Sequence, residues 1–350
     1  MQTLRLIVDG GDLNAPSSRA SIATAAAILR EGGTVAFPTE TVYGLGADAL
    51  RADAVAKIFA AKQRPAWDPL IVHVSDAAML REIAAEVSGN GRRLIDAFWP
   101  GPLTLLLPRS SRIPDVVTAG RARVGVRMPQ HPVAQALIRA AGLPVAAPSA
   151  NTFGHTSPTS AQHVADDLDG RIDAILDGGA AMPAHGLEST VIDVGEDPCV
   201  VYRPGVITLD DIRAAGVDAV AFQERAGDGR EPREALPSPG VGLRHYAPRA
   251  RLVLVENGPQ QAQRFEGLAA EFAGERLGLM LPQDFAEPIP GALVYQWGRW
   301  EEPEMLARRL FAGLRRLDAE GATVILCPLP EPRGIGIAIR DRLLKAARTD

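Results

Sequence analysis

Short apolar runs that stop at a proline recur through the first half of the chain, and they constrain the fold more than any other feature. Residues 103–107 stop before Pro108, and residues 124–128 stop before Pro129. Apolar runs of this length are typical of strands, and proline ends a strand because it has no N–H to give to a neighbouring strand. Helical patterns lie between the runs, so the alternation predicts a large mixed α/β sheet.

A polar stretch rich in proline and glycine separates this unit from a second alternation of strand and helix patterns. Residues 222–248 are the linker candidate, since such a composition cannot bury its own core and is expected to drape over a surface. From residue 251 on, the new alternation predicts a smaller, three-layer, Rossmann-like α/β domain. We therefore predict a first domain at residues 1–210, a linker at 211–249 and a second domain at 250–350.

The net charge, the cysteines and the length of the apolar runs limit where the protein can work and what it can bind. Its net charge of −5 argues against a protein whose whole surface binds nucleic acid, although it leaves room for a local basic cleft. Cys199 and Cys327 lie far apart in apolar runs and are expected to be buried thiols. No apolar run is long enough to span a bilayer, and the one at the N-terminus is too short for a signal peptide. We infer a reducing, cytosolic setting with no membrane.

Polar side chains crowd the tip of the first predicted strand of this unit. Thr39, Glu40 and Thr41 follow the apolar run at residues 34–37, and glycines close behind them let the backbone turn or approach a ligand. Hydroxyls and a carboxylate in this position suit recognition of a small polar ligand. On these residues alone, a polar turn is the simpler interpretation.

Three arginine or lysine side chains and a histidine have either a structural partner, which is the simpler interpretation for each alone, or a ligand. Lys62 and Arg64 end a helix pattern, where cations complement the helix dipole, but they also suit a clamp on phosphate oxygens. His73 lies in an apolar strand, where a histidine is usually a hydrogen-bonded core residue. Arg127, also in a strand, needs either an internal carboxylate or a substrate carboxylate as its partner.

Hydroxyl and amide side chains follow further strand patterns. Ser149 and Asn151 come after a strand end, the place of a phosphate site in an open α/β sheet, or else they form a capped turn before the helix near Ser160. The sequence contains no Walker lysine loop, no GxGxxG after the first strand, no zinc-type Cys/His spacing and no GxSxG elbow. The residues predict a basic, hydroxyl-rich cleft for an anionic ligand such as a nucleotide, and they do not fix a reaction.

An ordered set of motifs resembles YrdC-type threonylcarbamoyl-AMP synthases of the two-domain, long form. The motifs are Pro38-Thr39-Glu40-Thr41-Val42-Tyr43-Gly44-Leu45, Lys62-x-Arg64-Pro65, Pro69-Leu70-Ile71-Val72-His73, Trp99-Pro100-Gly101-Pro102-Leu103-Thr104, Val126-Arg127-Met128-Pro129, Ala147-Pro148-Ser149-Ala150-Asn151, Glu188-Ser189-Thr190-Val191, Arg203-Pro204-Gly205 and Ser238-Pro239-Gly240 with His245-Tyr246-Ala247-Pro248. The resemblance covers nearly the whole chain and is specific as an ordered set, with a looser match in the C-terminal domain.

This resemblance implies a fold, an activity and a set of partners. The implied fold is a twisted α/β sheet around a concave, positively charged cavity. The implied activity is nucleotidyl transfer, in which L-threonine, bicarbonate and ATP give threonylcarbamoyl-adenylate and pyrophosphate. The resemblance implies Mg²⁺ carried mainly by the ATP phosphates, and no metal site made of protein side chains. The product feeds the N6-threonylcarbamoyl modification of adenosine next to the tRNA anticodon, so the expected partner is the downstream tRNA threonylcarbamoyl transferase machinery, and weak RNA binding stays open.

The resemblance also assigns residues position by position. The expected catalytic cations are Lys62 and Arg64. The expected threonine-binding residues are Thr41, His73, Arg127, Ala147 and Ser189. The expected ATP-binding residues are Arg64, Asp68, Arg123, Ser149, Asn151, Ser157, Arg203 and Tyr246. Ala147 can serve only through its backbone or as a wall. Asp68 stands where the family usually has asparagine, and this carboxylate repels phosphates unless a cation intervenes. Arg123 stands where threonine is common, so its contact survives only through the backbone.

Two rival functions stay open at this point. A carbamoyl-adenylate former of the hydrogenase-maturation type shares the YrdC-like module, but it carries zinc-finger CxxC pairs, and this chain has two isolated cysteines. A non-catalytic RNA-binding module would use the same basic cavity, although the acidic total and the lack of interleaved aromatics weaken it. For the enzyme, we expect residues 237–248 to act as a lid that keeps water from the carbamate.

Overall fold

The computed structural model describes residues 2–179, 184–223, 238, 245–256, 258, 260–283 and 289–348, which form two α/β units, each around one sheet. The strands are β1 (Leu4–Ile7), β2 (Val35–Phe37), β3 (Gly44–Asp48), β4 (Ile71–His73), β5 (Leu103–Pro108), β6 (Arg123–Arg127), β7 (Val145–Ala146), β8 (Ala174–Asp177), β9 (Thr190–Asp193), β10 (Cys199–Arg203), β11 (Ala219–Ala221), β12 (Arg251–Val255), β13 (Leu277–Pro282), β14 (Leu293–Gly298) and β15 (Val324–Pro328). The helices are α1 (Pro16–Arg30), α2 (Ala52–Lys62), α3 (Ala77–Ile83), α4 (Gly89–Phe98), α5 (Asp115–Thr118), α6 (Pro132–Ala141), α7 (Ala161–Leu168), α8 (Leu209–Ala214), α9 (Gln261–Glu271), α10 (Pro303–Ala319) and α11 (Gly336–Ala346).

The first sheet has eleven strands in the order β1-β8-β2-β3-β7-β4-β6-β5-β9-β10-β11. β4 is parallel to β6 but antiparallel to β7, and β5 is antiparallel to β6 but parallel to β9. The predicted mixed α/β sheet is therefore confirmed. The ends of β4 and β6 lie side by side, with His73 opposite Arg127. Because β5 runs antiparallel to β6, the beginnings of β5 and β9 fall at this same edge and bring Ser189 to it.

The proline-ended strands and the helices between them follow the sequence prediction closely. Helix α6 lies between two strands, where a helical pattern is predicted, and it ends before Gly142, which takes a left-handed conformation with φ 69°. Helix α2 ends at Lys62 because Gln63 takes the left-handed conformation, with φ 53°, and Pro65 then prevents its continuation. This termination fixes where the side chain of Lys62 begins.

The sequence analysis missed β3 because its two glycines suggested a turn. Gly44 and Gly46 lie in a buried strand that pairs with both β2 and β7. A Cβ on Gly46 would lie 2.7 Å from Val145 Cγ1 and 2.8 Å from Phe37 Cε1. The glycine therefore allows the neighbouring side chains to approach the strand, and the polar turn ends before Gly44.

The second sheet contains four parallel strands in the order β12-β15-β13-β14. Helix α10 packs against β13 and β14, while α9 and α11 pack against β12. This is the small α/β unit that the sequence predicts, and its Rossmann-like character stays a prediction. The first sheet extends to β11, past the boundary predicted at residue 210.

The two units share a hydrophobic cluster. Val42 and Leu187 from the first unit pack in one cluster with Phe311 and Trp297 of the second unit, and Tyr246 belongs to the same cluster. Both Val42 and Leu187 lie beside polar tips of the first sheet. The second unit is therefore docked by buried apolar contacts next to the residues that the sequence singles out.

Two further expectations from the sequence concern the cysteines and membrane spans. Cys199 and Cys327 are free and buried, as expected. Among the helices that the structure describes, none combines the length and the apolar character needed to cross a membrane.

Candidate active site

A cavity opens at the sheet edge where β4 and β6 end, and the segment that leads into the second unit closes its far side. Its lining residues are Thr39, Thr41, Val42, Gly44, Arg64, Pro69, Ile71, His73, Arg127, Ala147, Pro148, Ser149, Glu188, Ser189, Arg203, His245 and Tyr246. The centres of water-sized molecules reach about 50 Å³ of it, which is room for a few waters. The cavity is thus narrow.

One half of the cavity is organised by Arg127. Its Nη1 lies 3.1 Å from Glu40 Oε1 and donates to Thr41 Oγ1 at 3.0 Å. Its Nη2 lies 2.9 Å from the Nε2 of His73. The partner of Arg127 is therefore an internal carboxylate, one of the two alternatives that the sequence left open. Glu40 Oε2 is buried and has no hydrogen-bond partner among the described residues, so the cluster retains unused acceptor capacity.

His73 is neutral in this cluster. Burial and then the charge of Arg127 lower the pKa of His73 well below its ordinary value. Because the guanidinium of Arg127 is a donor only, Nε2 of His73 accepts its hydrogen bond and the ring proton lies on Nδ1. Nδ1 is buried, and backbone hydrogen bonds at Val145 and Ile71 oppose part of the lowering of the His73 pKa.

Lys62 and Arg64 lie on the other half, but they face different partners. Lys62 Nζ lies 2.5 Å from the carbonyl oxygens of both Ser149 and Asn151. Burial, with the charge of Arg64, lowers the pKa of Lys62 well below its ordinary value. Lys62 thus holds the turn that carries Ser149, and it is Arg64 that lines the cavity.

Asp68 provides the counter-charge of Arg64. Arg64 Nη2 lies 2.9 Å from Asp68 Oδ2 and also donates to the carbonyl of Pro69 at 2.8 Å. Burial outweighs the attraction of Arg64 and raises the pKa of the Asp68 carboxyl. A cation therefore stands beside the carboxylate that replaces the usual asparagine.

Arg203 is the cation with the least compensation. Its Nε donates to the carbonyl of Ser189 at 3.0 Å and its Nη2 to the hydroxyl of Ser189 at 3.1 Å. That hydroxyl also lies 2.7 Å from Thr104 Oγ1. Within the described part of the chain, no carboxylate oxygen lies within 4 Å of the Arg203 guanidinium, so this side chain lacks the ion pair that Arg64 and Arg127 have.

Ser157 and Tyr246 lie deeper on the same side. Ser157 Oγ donates to Glu188 Oε1 at 2.5 Å. Tyr246 has a left-handed backbone, with φ 66°, and its buried hydroxyl lies near the guanidinium of Arg203. Burial raises the pKa of Tyr246 to about 12, so the hydroxyl stays protonated and is able to donate.

Arg123 does not reach the cavity, which corrects the expectation that it contacts ATP. It lies at the opposite end of β6 from Arg127, and its Nε pairs with Asp193 Oδ2 at 3.1 Å. Asn151 also has structural partners, since its Nδ2 donates to the carbonyls of Thr152 and His155 at 2.8 Å. The main-chain N–H of Ala147 donates to Ile71, so Ala147 contributes a wall or its carbonyl.

The structure gathers most of the predicted residues and adds others that sequence reasoning missed. Those that line the cavity or contact a lining residue directly are Thr41, Lys62, Arg64, Asp68, His73, Arg127, Ala147, Ser149, Ser157, Ser189, Arg203 and Tyr246. The missed residues are Thr104, Glu188, His245 and Arg342, whereas the sequence marks Glu40 only as part of a polar strand tip. Thr104, Glu188 and His245 lie inside recognised motifs, but nothing in the sequence pointed to Arg342. Of the predicted lid, Ser238 and residues 245–248 belong to the described residues, and the rest lie outside them.

The carboxylates at the cavity have arginine partners, which makes them poor candidates for metal ligands. Glu40, Asp68 and Glu188 each pair with an arginine. The described residues contain no group of three or more His, Cys, Asp or Glu side chains placed to hold a metal ion. A divalent ion at this cavity would therefore depend on oxygen atoms that a ligand brings with it.

Comparison with known proteins finds matches over the whole chain. Residues 27–205 match the Sua5/YciO/YrdC family model, described as telomere recombination, and residues 207–348 match a model described as threonylcarbamoyl-AMP synthase, C-terminal domain. A threonylcarbamoyl-AMP synthase of Bacillus subtilis is 43% identical over 350 residues, covering 99% of this chain and 98% of the relative. One of Pyrococcus abyssi is 43% identical over 329 residues, covering 93% and 94%.

A solved structure is similar over the same extent. The crystal structure of P. abyssi Sua5 complexed with L-threonine superposes with a TM-score of 0.89 and 40% sequence identity. The match covers 99% of this chain and 98% of that one.

Proposed function

The chain belongs to the Sua5/YciO/YrdC family in its two-domain form, and from this we propose that it joins L-threonine, bicarbonate and ATP into threonylcarbamoyl-AMP and pyrophosphate. Relatives that span nearly its whole length carry the name threonylcarbamoyl-AMP synthase, so the chain is an enzyme of the nucleotidyltransferase type. The observation that carries the proposal is the cavity itself, where an arginine–histidine cluster lies beside a second group of buried cations and hydroxyls.

The cluster around Arg127 is the proposed threonine site. We propose that Arg127 pairs with the amino-acid carboxylate, which displaces Glu40 or shares the guanidinium with it. His73 lines the same half, and the hydroxyls of Thr41 and Ser189 are its polar contacts for the ligand. Ala147 forms the wall. The threonine complex of the P. abyssi protein supports a threonine site in this fold.

The other half is the proposed triphosphate site. Arg64 and Arg203 line it with Ser149, and Lys62 fixes the Ser149 turn from behind. Ser157 and Tyr246 extend the same side toward the second domain. Mg²⁺, held by the phosphates, supplies further neutralisation of their charge, which agrees with the arginine-paired state of the nearby carboxylates.

The proposed reaction needs positioning and electrostatics more than covalent help from the protein. The neutral amine of threonine attacks the carbon of bicarbonate or of CO2 derived from it, and a carbamate forms with loss of water or a proton. A carbamate oxygen then attacks the α-phosphorus of ATP, and the bond to pyrophosphate breaks. Arg64 and Arg203 stabilise the negative charge on the phosphoryl oxygens during this step.

The rival functions fit the chain less well. The match to a threonylcarbamoyl-AMP synthase C-terminal domain over residues 207–348 does not fit the hydrogenase-maturation alternative. The arginine-paired carboxylates of a narrow cavity suit a small ligand better than an RNA strand. We propose that the product passes to a transferase acting on tRNA adenosine, and direct RNA binding stays a prediction.

Pyrophosphate release from ATP tests this function. We expect release that requires both threonine and bicarbonate, with only background release when either is left out. Salt-sensitive RNA binding together with no ATP turnover under the same conditions would instead support the non-catalytic alternative.

A further inference from the structure

Two arginines of the second domain hold Ser157 from two sides. Arg342, on α11, donates its Nε to Glu188 Oε2 at 2.8 Å, and the other oxygen of Glu188 accepts the Ser157 hydroxyl at 2.5 Å. Arg315, on α10, lies 2.6 Å from the carbonyl oxygen of Thr156 through Nη2 and 3.4 Å from that of Ser157 through Nε. The hydroxyl and the carbonyl of one serine are therefore both held from the other domain.

Arg342 also contacts Tyr246. Its Cζ lies 5.1 Å from the centroid of the Tyr246 ring, which stacks against Phe311 at 5.7 Å. A guanidinium over an aromatic face is attracted by the ring, and the Arg342 side chain is fully buried. One side chain thus connects two residues that the proposed function places at the nucleotide.

Stability alone is a weak reason for this arrangement. A buried ion pair is costly to desolvate and is often replaceable by apolar side chains without loss of stability. The ion pair orients the carboxylate of Glu188. Because Oε2 accepts a hydrogen bond from Arg342, the other oxygen, Oε1, accepts the Ser157 hydroxyl. The hydroxyl is then fixed relative to the cavity.

The threonine half of the cavity is held differently. Arg127 bonds with Glu40, Thr41 and His73, all within the first domain. Arg315 and Arg342 therefore contact residues of the nucleotide half, and they do not take part in these hydrogen bonds of Arg127.

We propose that Arg342 and Arg315 are positioning residues through which the second domain sets Ser157 and Tyr246 for ATP. This inference rests on the proposed function, because it assumes that ATP occupies that half of the cavity. The second domain thereby controls nucleotide affinity without itself binding threonine.

Matched variants of the full chain test the proposal. Arg342→Met is compared with Arg340→Met on the same helix, since Arg340 pairs with Glu256 of its own domain. Arg315→Met is compared with its neighbour Arg316→Met, since Arg316 pairs with Glu320 at the surface. We expect the KM for ATP to rise about ten- to hundredfold in the Arg342 and Arg315 variants, the KM for threonine to change less than about twofold, and the controls to resemble the wild type.

A double variant and a milder variant exclude a loss of folding as the cause. Ser157→Ala combined with Arg342→Met should raise the KM for ATP no more than about twofold beyond Arg342→Met alone, because both changes interrupt one chain of contacts. Arg342→Lys keeps a cation beside Glu188 and Tyr246 and should give an intermediate KM for ATP, with a thermal unfolding midpoint near that of the wild type.

Two results separate the inference from the proposed function. A wild-type chain without threonine-dependent pyrophosphate release would refute the function. An active wild type in which folded Arg342 and Arg315 variants match their controls, or raise both KM values equally, would overturn the inference alone.

Discussion

The guanidinium of Arg64 lies 2.9 Å from the carboxylate of Asp68, and both side chains are almost completely buried. The proposed reaction needs Arg64 to bind phosphate, but Arg64 already has Asp68 as an anionic partner. The carboxylate partly cancels the charge of Arg64 and orients it, with help from the carbonyls of Asp68 and Pro69. We therefore expect Asp68 to restrain nucleotide affinity and, at the same time, to stabilise the buried guanidinium of Arg64.

Replacing this carboxylate by an amide should separate the two effects. In Asp68→Asn, the buried guanidinium loses its counter-charge, so we expect the free energy of unfolding without ligand to fall by about 2 kcal/mol. The KM for ATP should fall about fivefold, because a repulsion worth about 1 kcal/mol is removed. Thermal unfolding with and without ATP, and steady-state kinetics, measure both.

The control for this change is an exposed pair. Asp53→Asn interrupts the surface pair of Arg51 and Asp53 and should change neither quantity appreciably. An Asp68→Asn variant that binds ATP more weakly would show that the carboxylate serves the nucleotide site rather than restraining it.

Lys62 should act on catalysis through the turn that it holds. In Lys62→Met, the carbonyls of Ser149 and Asn151 lose their buried donor, so the free energy of unfolding should fall by roughly 1–3 kcal/mol. Turnover should fall about tenfold or more, since Ser149 loses its fixed position. Lys57→Met on the same helix removes one bond to the Gly32 carbonyl from an exposed side chain and is the matched control. Equal turnover in the two variants would contradict the role of Lys62.

Arg127 and Arg123 lie on one strand and allow a direct test of the two halves. Arg127→Met should raise the KM for threonine about tenfold or more through loss of a charge-assisted contact, while the KM for ATP changes much less. Arg123→Met, which affects the pair with Asp193 at the other strand end, should leave both KM values near those of the wild type. A selective rise of the KM for ATP in the Arg123 variant would restore that residue to the nucleotide site.

His163 should make the protein less stable in mild acid. Burial, followed by the charge of Arg315, lowers the pKa of His163 from 6.5 to about 4, and its Nδ1 accepts the N–H of Thr159 at 3.2 Å. The unfolded chain binds the proton more readily, so stability falls as the pH drops from above 6.5 toward 4. Between pH 7 and pH 5 the loss is about 2 kcal/mol.

Urea unfolding at these two pH values should show a loss of stability about 2 kcal/mol larger in the wild type than in His163→Gln. The loss that remains in the variant comes from other buried histidines whose pKa is lowered, such as His73. The carboxyl of Asp167, whose pKa falls to about 2 because the lowering contributions of His155 and Arg315 outweigh the effect of burial, loses its contribution only below about pH 4 and does not overlap. An NMR titration that places the pKa of His163 near 6.5 would contradict the prediction.

Local chemistry explains what the sequence predicts well. Prolines at strand ends and the periodic helices between them depend on neighbours in the chain, so β5, β6 and α6 are found where the pattern places them. The same reasoning does not predict β3. A glycine is needed at position 46 because Val145 and Phe37 pack against it, and these contacts exist only in the folded sheet.

In the candidate site, too, the sequence predicts some features, and others depend on contacts made only in the folded chain. The family motifs identify the residues that line the cavity, but they do not reveal which partners occupy them. Lys62 resembles a phosphate cation in the sequence and instead bonds to carbonyls 87 and 89 residues away. Arg342 lies 154 residues from Glu188, in a helix with no recognisable motif, so only the docking of the two domains reveals it.

The most direct measurement follows labelled carbon into the product. The protein is incubated with ATP, L-threonine and ¹³C-bicarbonate, and the nucleotide products are analysed by mass spectrometry. We predict threonylcarbamoyl-AMP that carries one ¹³C atom. It should form together with pyrophosphate and be absent when threonine is omitted. Pyrophosphate release without a labelled adenylate, or no turnover at all, would contradict the claim that this cavity joins the three substrates.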